Sequence, residues 1–282
     1  MNDNQNTPDP PRRRSMLASI LMILIVATLG WWLLTSMLQE RFIFPRFIAN
    51  NDVPTKTPDD VEVIMVGPDQ GVEALFLPAS TGDDPAPLLV LLHGNAELAD
   101  HWIDFGRSQS ARGYAVLIPE YPGYGRSAGE PGQDRIRECV LESIERVTDR
   151  PEVDGDHVGF LGRSIGTAVA ADVALRRTPD CMVFIVPPAS ISGFAWGYGV
   201  PPLLIRHPFR TDLALPQLDV PLLICSHSQD EVVPPAQSAM LHDVAMDSTL
   251  LEFEGRHNFL FEDSDRIRRR RAIEDHLDAN LR

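Results

Sequence analysis

Apolar residues are distributed along this chain in two different ways. Near the N-terminus they run unbroken, and Met16 to Leu38 is a 23-residue stretch without a charged side chain. As a helix it measures about 34 Å, enough to cross the roughly 30 Å hydrocarbon core of a bilayer with some tilt. Helices of soluble proteins rarely stay apolar all round for that length. A cleaved signal peptide would have a shorter apolar core followed by a small-x-small site. Here the run continues through Trp31-Trp32-Leu33-Leu34 without such a site, so 15–38 is read as an uncleaved anchor. Arg12, Arg13 and Arg14 precede it, which predicts a cytoplasmic N-terminus and the rest of the chain on the other side. Arg41 and Arg46, beyond the span, reduce that asymmetry. Residues 1–14, polar and proline-bearing, read as a disordered tail, and 39–60 as a connector broken by Pro54 and Pro58.

From Val61 onward the pattern changes to short apolar runs separated by amphipathic stretches. The strand candidates are Val61–Val66, Val72–Leu77, Leu88–Leu92, Ala115–Ile118, Val158–Leu161, Cys181–Val186, Pro221–Cys225 and Leu250–Phe253. Several are apolar throughout, as in a strand covered on both faces. Between them, Ile136, Val140, Ile144 and Val147 recur at helical spacing, Ile165–Arg177 is alanine-rich, and Ile273, Leu277 and Leu281 mark a last amphipathic helix. Strands alternating with helices predict an α/β fold over 61–282, a mostly parallel eight-stranded sheet flanked by helices. Ligands of such sheets bind beyond the carboxyl ends of the strands.

Charge and cysteine content remove some functions from consideration. A net charge of −15 makes a phosphate-binding surface improbable and argues against nucleic acid as a partner. Cys139, Cys181 and Cys225 form neither a disulfide framework nor a metal-ligand spacing, and no metal is expected. The basic run Arg266–Arg271 sits among Glu262, Asp263, Asp265, Glu274 and Asp275 and reads as a solvated helix face.

The pattern G-x-S-x-G, which sets a serine on a tight strand-to-helix turn, occurs twice. Ser127 has a glycine- and proline-rich loop on both sides, so it reads as a turn residue. Ser164 follows the strand-like His157–Leu161 and precedes the helix-like Ile165–Ala171, the setting of a nucleophile. Serine needs a base, and the base needs an orienting group. Of the eight histidines, His257 falls in a loop just after the last strand, whereas His242 and His276 fall in helical stretches. Asp230, directly after the strand ending at Cys225, is the acid candidate, with Glu231 as the neighbouring alternative. Backbone N–H groups must face the charge that develops on the substrate oxygen. Ile165, after the nucleophile, and Asn95, in the loop His93-Gly94-Asn95-Ala96, are the expected donors.

Five landmarks thus stand in order: His93-Gly94-Asn95-Ala96, Tyr121-Pro122-Gly123-Tyr124-Gly125-Arg126-Ser127, Gly162-Arg163-Ser164-Ile165-Gly166, Asp230-Glu231-Val232-Val233-Pro234 and His257-Asn258. Together they resemble the α/β-hydrolase superfamily, and more narrowly its membrane-tethered lipase, thioesterase and depalmitoylase-like branch. The resemblance implies a Ser164–Asp230–His257 triad that hydrolyses carboxylic esters or thioesters through an acyl-enzyme, without a cofactor. Lipid-like or acylated molecules are the implied substrates, with the membrane as partner through the N-terminal helix. An acyltransferase or peptidase on the same scaffold, or a non-catalytic anchored binding protein, are the alternatives. The sequence departs from the family at Ser226-His227, where His-Gly is common, and at Arg256, where glycine often precedes the histidine. Pro187 to Leu215, long for a turn and rich in aromatics and proline, suits a lid as well as a structural excursion.

Overall fold

In the computed structural model, which describes residues 12–82 and 85–282, every predicted apolar run from Val61 onward becomes a strand. The strands are β1 (Glu62–Val66), β2 (Val72–Leu77), β3 (Ala86–Leu92), β4 (Ala115–Pro119), β5 (Val153–Arg163), β6 (Cys181–Ile185), β7 (Leu222–His227) and β8 (Ser248–Phe253). Among the described residues these eight form one sheet in the order β1-β2-β4-β3-β5-β6-β7-β8. β2 is antiparallel to β1 and β4, and all other neighbours are parallel. The fold is that of an α/β hydrolase. β5 starts five residues before its apolar run, because Val153 and Asp154 pair with Ala86 and Pro87 before the register shifts at Leu88. Backbone pairing extends that strand where hydrophobicity gives no signal.

Alternation along β3 divides the core. Leu88, Val90 and Leu92 face one layer, with α4 (Gln133–Thr148) and α5 (Ile165–Ala174) supplying Ile136, Val140, Ile144 and Val169. Leu89 and Leu91 face the other, with α3 (Ile103–Ser110) and α8 (Asp263–Asn280) supplying Ile103, Ile273 and Leu277. Each of these fully buried aliphatic side chains contributes roughly 1.5–3 kcal/mol, which is why continuous apolar runs mark the central strands. α8 bears the arginine run on its exposed side, where Arg266 pairs with Asp263, Arg268 with Asp265 and Arg270 with Glu274. Arg269 turns inward instead.

The N-terminal helix α1 (Arg12–Ile43) contains a window of mean hydropathy 2.3 with none of it buried, long and apolar enough to cross a membrane. Residues 1–11 of the expected tail lie outside the described residues, while Arg12–Arg14 already belong to α1. At its other end α1 continues five residues beyond Leu38, into the stretch read as a connector, and α2 (Arg46–Ala49) follows. Tertiary packing holds these added turns: Gln39 and Phe44 are buried, and the Phe44 ring lies against His207 and Phe209. The excursion between β6 and β7 carries 3₁₀ turns at Ser192–Tyr198 and Pro202–Leu204 and the short α6 (Thr211–Ala214). α7 (Pro235–Val244) connects β7 to the edge strand β8 and packs against both.

Candidate active site

Ser164 stands between the end of β5 and the first residue of α5, with φ +51° and ψ −123°. A non-glycine residue there costs roughly 1–3 kcal/mol and persists only where its surroundings impose it. Two glycines make the turn possible. A Cβ on Gly162 would sit 2.6 Å from the Gly166 carbonyl oxygen, and one on Gly166 would sit 2.0 Å from the Leu92 carbonyl oxygen. The G-x-S-x-G spacing therefore reflects the tight approach of α5 to β3.

His257 Nε2 lies 3.2 Å from Ser164 Oγ, and its Nδ1 lies 2.7 Å from Asp230 Oδ2. A carboxylate accepts only, so Nδ1 carries the proton and Nε2 is free to accept the serine hydroxyl's. The other carboxylate oxygen, Asp230 Oδ1, accepts from the N–H groups of Val232 (2.8 Å) and Val233 (2.7 Å). Burial opposes ionisation of Asp230, but the His257 bond and these two N–H groups outweigh it and hold its pKa below the usual value. Glu231 is exposed and has no such bond to His257. All three side chains of the chain Ser164–His257–Asp230 are buried.

The loop bearing His257 is a small hairpin, β9 (Gly255–Arg256) with β10 (Phe259–Leu260), that hydrophobic periodicity did not reveal. Two side chains brace it. Arg163, the variable second residue of the serine motif, donates to the His257 carbonyl (3.1 Å) and to Asn258 Oδ1 (2.9 Å). Its other nitrogen pairs with Glu97, whose carboxylate also accepts from the Gly94 N–H at 2.7 Å and Trp102 Nε1 at 3.1 Å. One guanidinium thus ties the base loop to the expected oxyanion loop. Neither Arg163 nor Glu97 carried a sequence signal, since the motif leaves that position open and Glu97 reads as a loop residue.

His227 braces the hairpin from below. Its Nδ1 donates to the Arg256 carbonyl (2.8 Å), and its Nε2 accepts from Arg269 (3.0 Å), so the ring is neutral. Burial, with Arg269 beside it, lowers its pKa from 6.5 to about 4. This depressed value sets a pH window. Above the unfolded pKa both states are neutral; as pH falls from 6.5 towards about 4, only the unfolded chain takes up the proton. Folding stability should therefore decline by up to roughly 3 kcal/mol across that window through this group. His227→Gln should flatten the stability–pH profile between those limits, and identical acid slopes for both proteins would contradict the assignment.

The expected oxyanion loop is held equally firmly. Asn95 Nδ2 donates to the Ile43 carbonyl at the end of α1 (2.6 Å), and its Oδ1 accepts from the Tyr124 hydroxyl (2.9 Å). Ala96 beyond it has φ +57°. Ile165, as the first residue of α5, has no intrahelical acceptor for its N–H. Beneath the loop, buried His93 directs Nε2 at Glu120 (2.9 Å) and Nδ1 at the Gly94 carbonyl (3.0 Å), two acceptors that call for an imidazolium. Burial disfavours that charge, but the Glu120 carboxylate prevails and raises the His93 pKa. Tyr121 donates to the His93 carbonyl (2.9 Å), so the Tyr121–Tyr124 landmark supports this loop. Ser127, the other motif serine, closes its turn with its N–H on the Tyr124 carbonyl (2.9 Å), and its hydroxyl oxygen accepts from the Glu73 N–H of β2 at 2.9 Å. His242, on α7, bonds Ser248 at the start of β8, away from Ser164. No cluster of metal-binding side chains occurs among the described residues.

A family profile described as the α/β-hydrolase fold matches residues 87–212, which include Ser164 and end before Asp230 and His257. An uncharacterised protein of Mycobacterium tuberculosis is 24% identical over 216 residues, covering 72% of this chain and 74% of its own length. The rat lysophosphatidylserine lipase ABHD12 is 27% identical over 186 residues, 57% of this chain and 46% of the lipase, so the chain matches about half of that enzyme. Among solved structures, a Pyrococcus furiosus esterase superposes with a TM-score of 0.66 at 16% identity, covering 82% of this chain and 97% of the esterase. Acetyl xylan esterase 1 of Thermoanaerobacterium superposes with a TM-score of 0.60 at 16% identity, covering 77% and 85%.

Proposed function

We propose, from the premise that this chain belongs to the α/β-hydrolase superfamily, that it is a membrane-anchored serine hydrolase of carboxylic esters or thioesters. The observation that carries the proposal is the hydrogen-bonded sequence Ser164–His257–Asp230 on a strained strand-to-helix turn. Ser164 Oγ attacks the acyl carbon while His257 Nε2 takes its proton. The Asn95 and Ile165 N–H groups hold the oxyanion, and Asp230 steadies the imidazolium. His257 then returns the proton to the leaving alcohol or thiol, leaving an acyl-Ser164 that water hydrolyses by the same base.

Lipid-like or acylated molecules are the proposed substrates. A helix long and apolar enough to cross a bilayer, where such molecules concentrate, supports this class, as does the similarity to a lysophosphatidylserine lipase. In this proposal 1–14 is a cytoplasmic tail, 15–38 the anchor and 61–282 the hydrolase domain on the non-cytoplasmic side, with 187–215 as its lid. A p-nitrophenyl ester series tests the substrate class. Each methylene buried in an acyl pocket is worth about 0.8 kcal/mol, or at most about fourfold in kcat/KM. Medium or long chains should therefore outpace acetyl, and a steady decline from acetyl onward would overturn the lipid-like class. For topology, protease added on the non-cytoplasmic face of sealed spheroplasts should digest the domain; protection there would reverse the orientation.

A further inference from the structure

The lid segment and the anchor lie side by side. Trp31 Nε1 donates to the Tyr198 carbonyl (3.0 Å) and Trp32 Nε1 to the Gly199 carbonyl (3.1 Å). Higher up, Gln39 Nε2 donates to the Leu204 carbonyl (3.3 Å), and Gln39 Oε1 accepts the Arg206 N–H (2.7 Å). Glu40 faces Arg206 and His207, each at 3.6 Å. The partners advance together in both segments, so 198–207 runs parallel to helix residues 31–40 for about 14 Å.

Two features of this strap point to lipid. The large side chains it turns outward are apolar, Tyr198 being 72% and Leu203 85% exposed, beside the exposed Leu33, Leu34 and Met37 of the helix. Moreover, both segments change from apolar to polar or charged at one level: Leu38 gives way to Gln39, Glu40 and Arg41 where Leu204 and Ile205 give way to Arg206 and the neutral ring of His207. A protein partner has no need of such a shared boundary, whereas the edge of a bilayer imposes one. Irregular backbone is admitted to the membrane only if its polar groups are satisfied. The two indole N–H groups and the Gln39 amide take three of the strap's carbonyls.

We propose that residues 198–205 are seated in the outer region of the bilayer that holds the anchor, clamped at the depth of Trp31 and Trp32. The same helix then reaches the reaction site, because the Ile43 carbonyl holds the Asn95 side chain. An ester dissolved in that leaflet is thereby presented beside the oxyanion loop without crossing water. The proposal rests on the anchored-hydrolase reading above, and its test is chosen to be independent of catalysis.

The full chain carrying Leu203→Cys is labelled with an environment-sensitive fluorophore and reconstituted into phosphatidylcholine vesicles, with Met246→Cys, 63% exposed, as the control. The native Cys139, Cys181 and Cys225 are buried and leave the introduced thiol as the accessible one. Phosphatidylcholine with brominated acyl chains should quench the label at position 203 and leave that at 246 unchanged. Equal, water-like emission from both positions would overturn the seat. A blue-shifted label at 203 that brominated lipid does not quench would also overturn it, in favour of a second protein surface. The same quenching is expected with Ser164→Ala, so failure of the hydrolase mechanism and failure of the membrane seat give different results.

Discussion

Ser164→Ala should remove ester turnover by about 10⁴-fold or more in kcat and abolish fluorophosphonate labelling, because loss of a nucleophile leaves only what binding and the oxyanion donors supply. The effect should be large because nothing nearby replaces the hydroxyl. Ser164 alone of the two motif serines stands 3.2 Å from an imidazole nitrogen. Ser127 spends its oxygen on the Glu73 N–H of β2, 2.9 Å away. Ser127→Ala should therefore keep both activity and labelling, with a small loss of stability at most. Replacing Ser164 by alanine keeps the positive φ, so circular dichroism and melting should show a folded protein. Full turnover by such a folded variant would end the serine mechanism.

Asp230→Asn should lower kcat by about 10⁴-fold with the fold intact. The reason is specific to the hydrogen bonds here. Asp230 Oδ1 accepts the Val232 and Val233 N–H groups, and Oδ2 accepts His257 Nδ1–H. An asparagine keeps its carbonyl oxygen on the two N–H groups and turns its NH₂ towards the imidazole. Nδ1 must then accept, and the proton moves to Nε2, where it faces Ser164 Oγ instead of receiving from it. Glu231→Gln alters an exposed side chain and should leave kcat unchanged. Comparable losses from both substitutions would show that the acid loop acts as a unit and that Asp230 has no separate role.

Much of this molecule was legible from the order of residue types. Strands β3, β4 and β6 are apolar because both of their faces are covered, and a pattern of that kind needs no partner to be read. The serine motif was equally local, since Gly162 and Gly166 answer to backbone approaches within one turn and to the adjacent β3. Ser164, Asp230 and His257 lie beyond β5, β7 and β8, and the parallel arrangement brings the carboxyl ends of these strands to the same end of the sheet. What stayed hidden were interactions between residues distant in sequence that have no period. Arg163 with Glu97 and Asn258, or His227 with Arg256 and Arg269, join segments between 29 and 95 residues apart.

The N-terminal helix shows the same division most sharply. Its uncharged length marks it as able to cross a membrane, because a helix in lipid needs only continuous apolarity, a property of consecutive residues. That it runs on to Ile43, that Trp31 and Trp32 hold the strap's carbonyls, and that Ile43 meets Asn95 were decided by tertiary structure. Gln39 and Glu40 follow the apolar stretch and read as the start of a connector. They stay helical because Leu204, Arg206 and His207, more than 160 residues later, bring the complementary groups to them. Local sequence determines the elements, since propensity and burial act residue by residue. Hydrogen bonds between separate elements depend on how the whole sheet sets its loops, and that belongs to the folded chain alone.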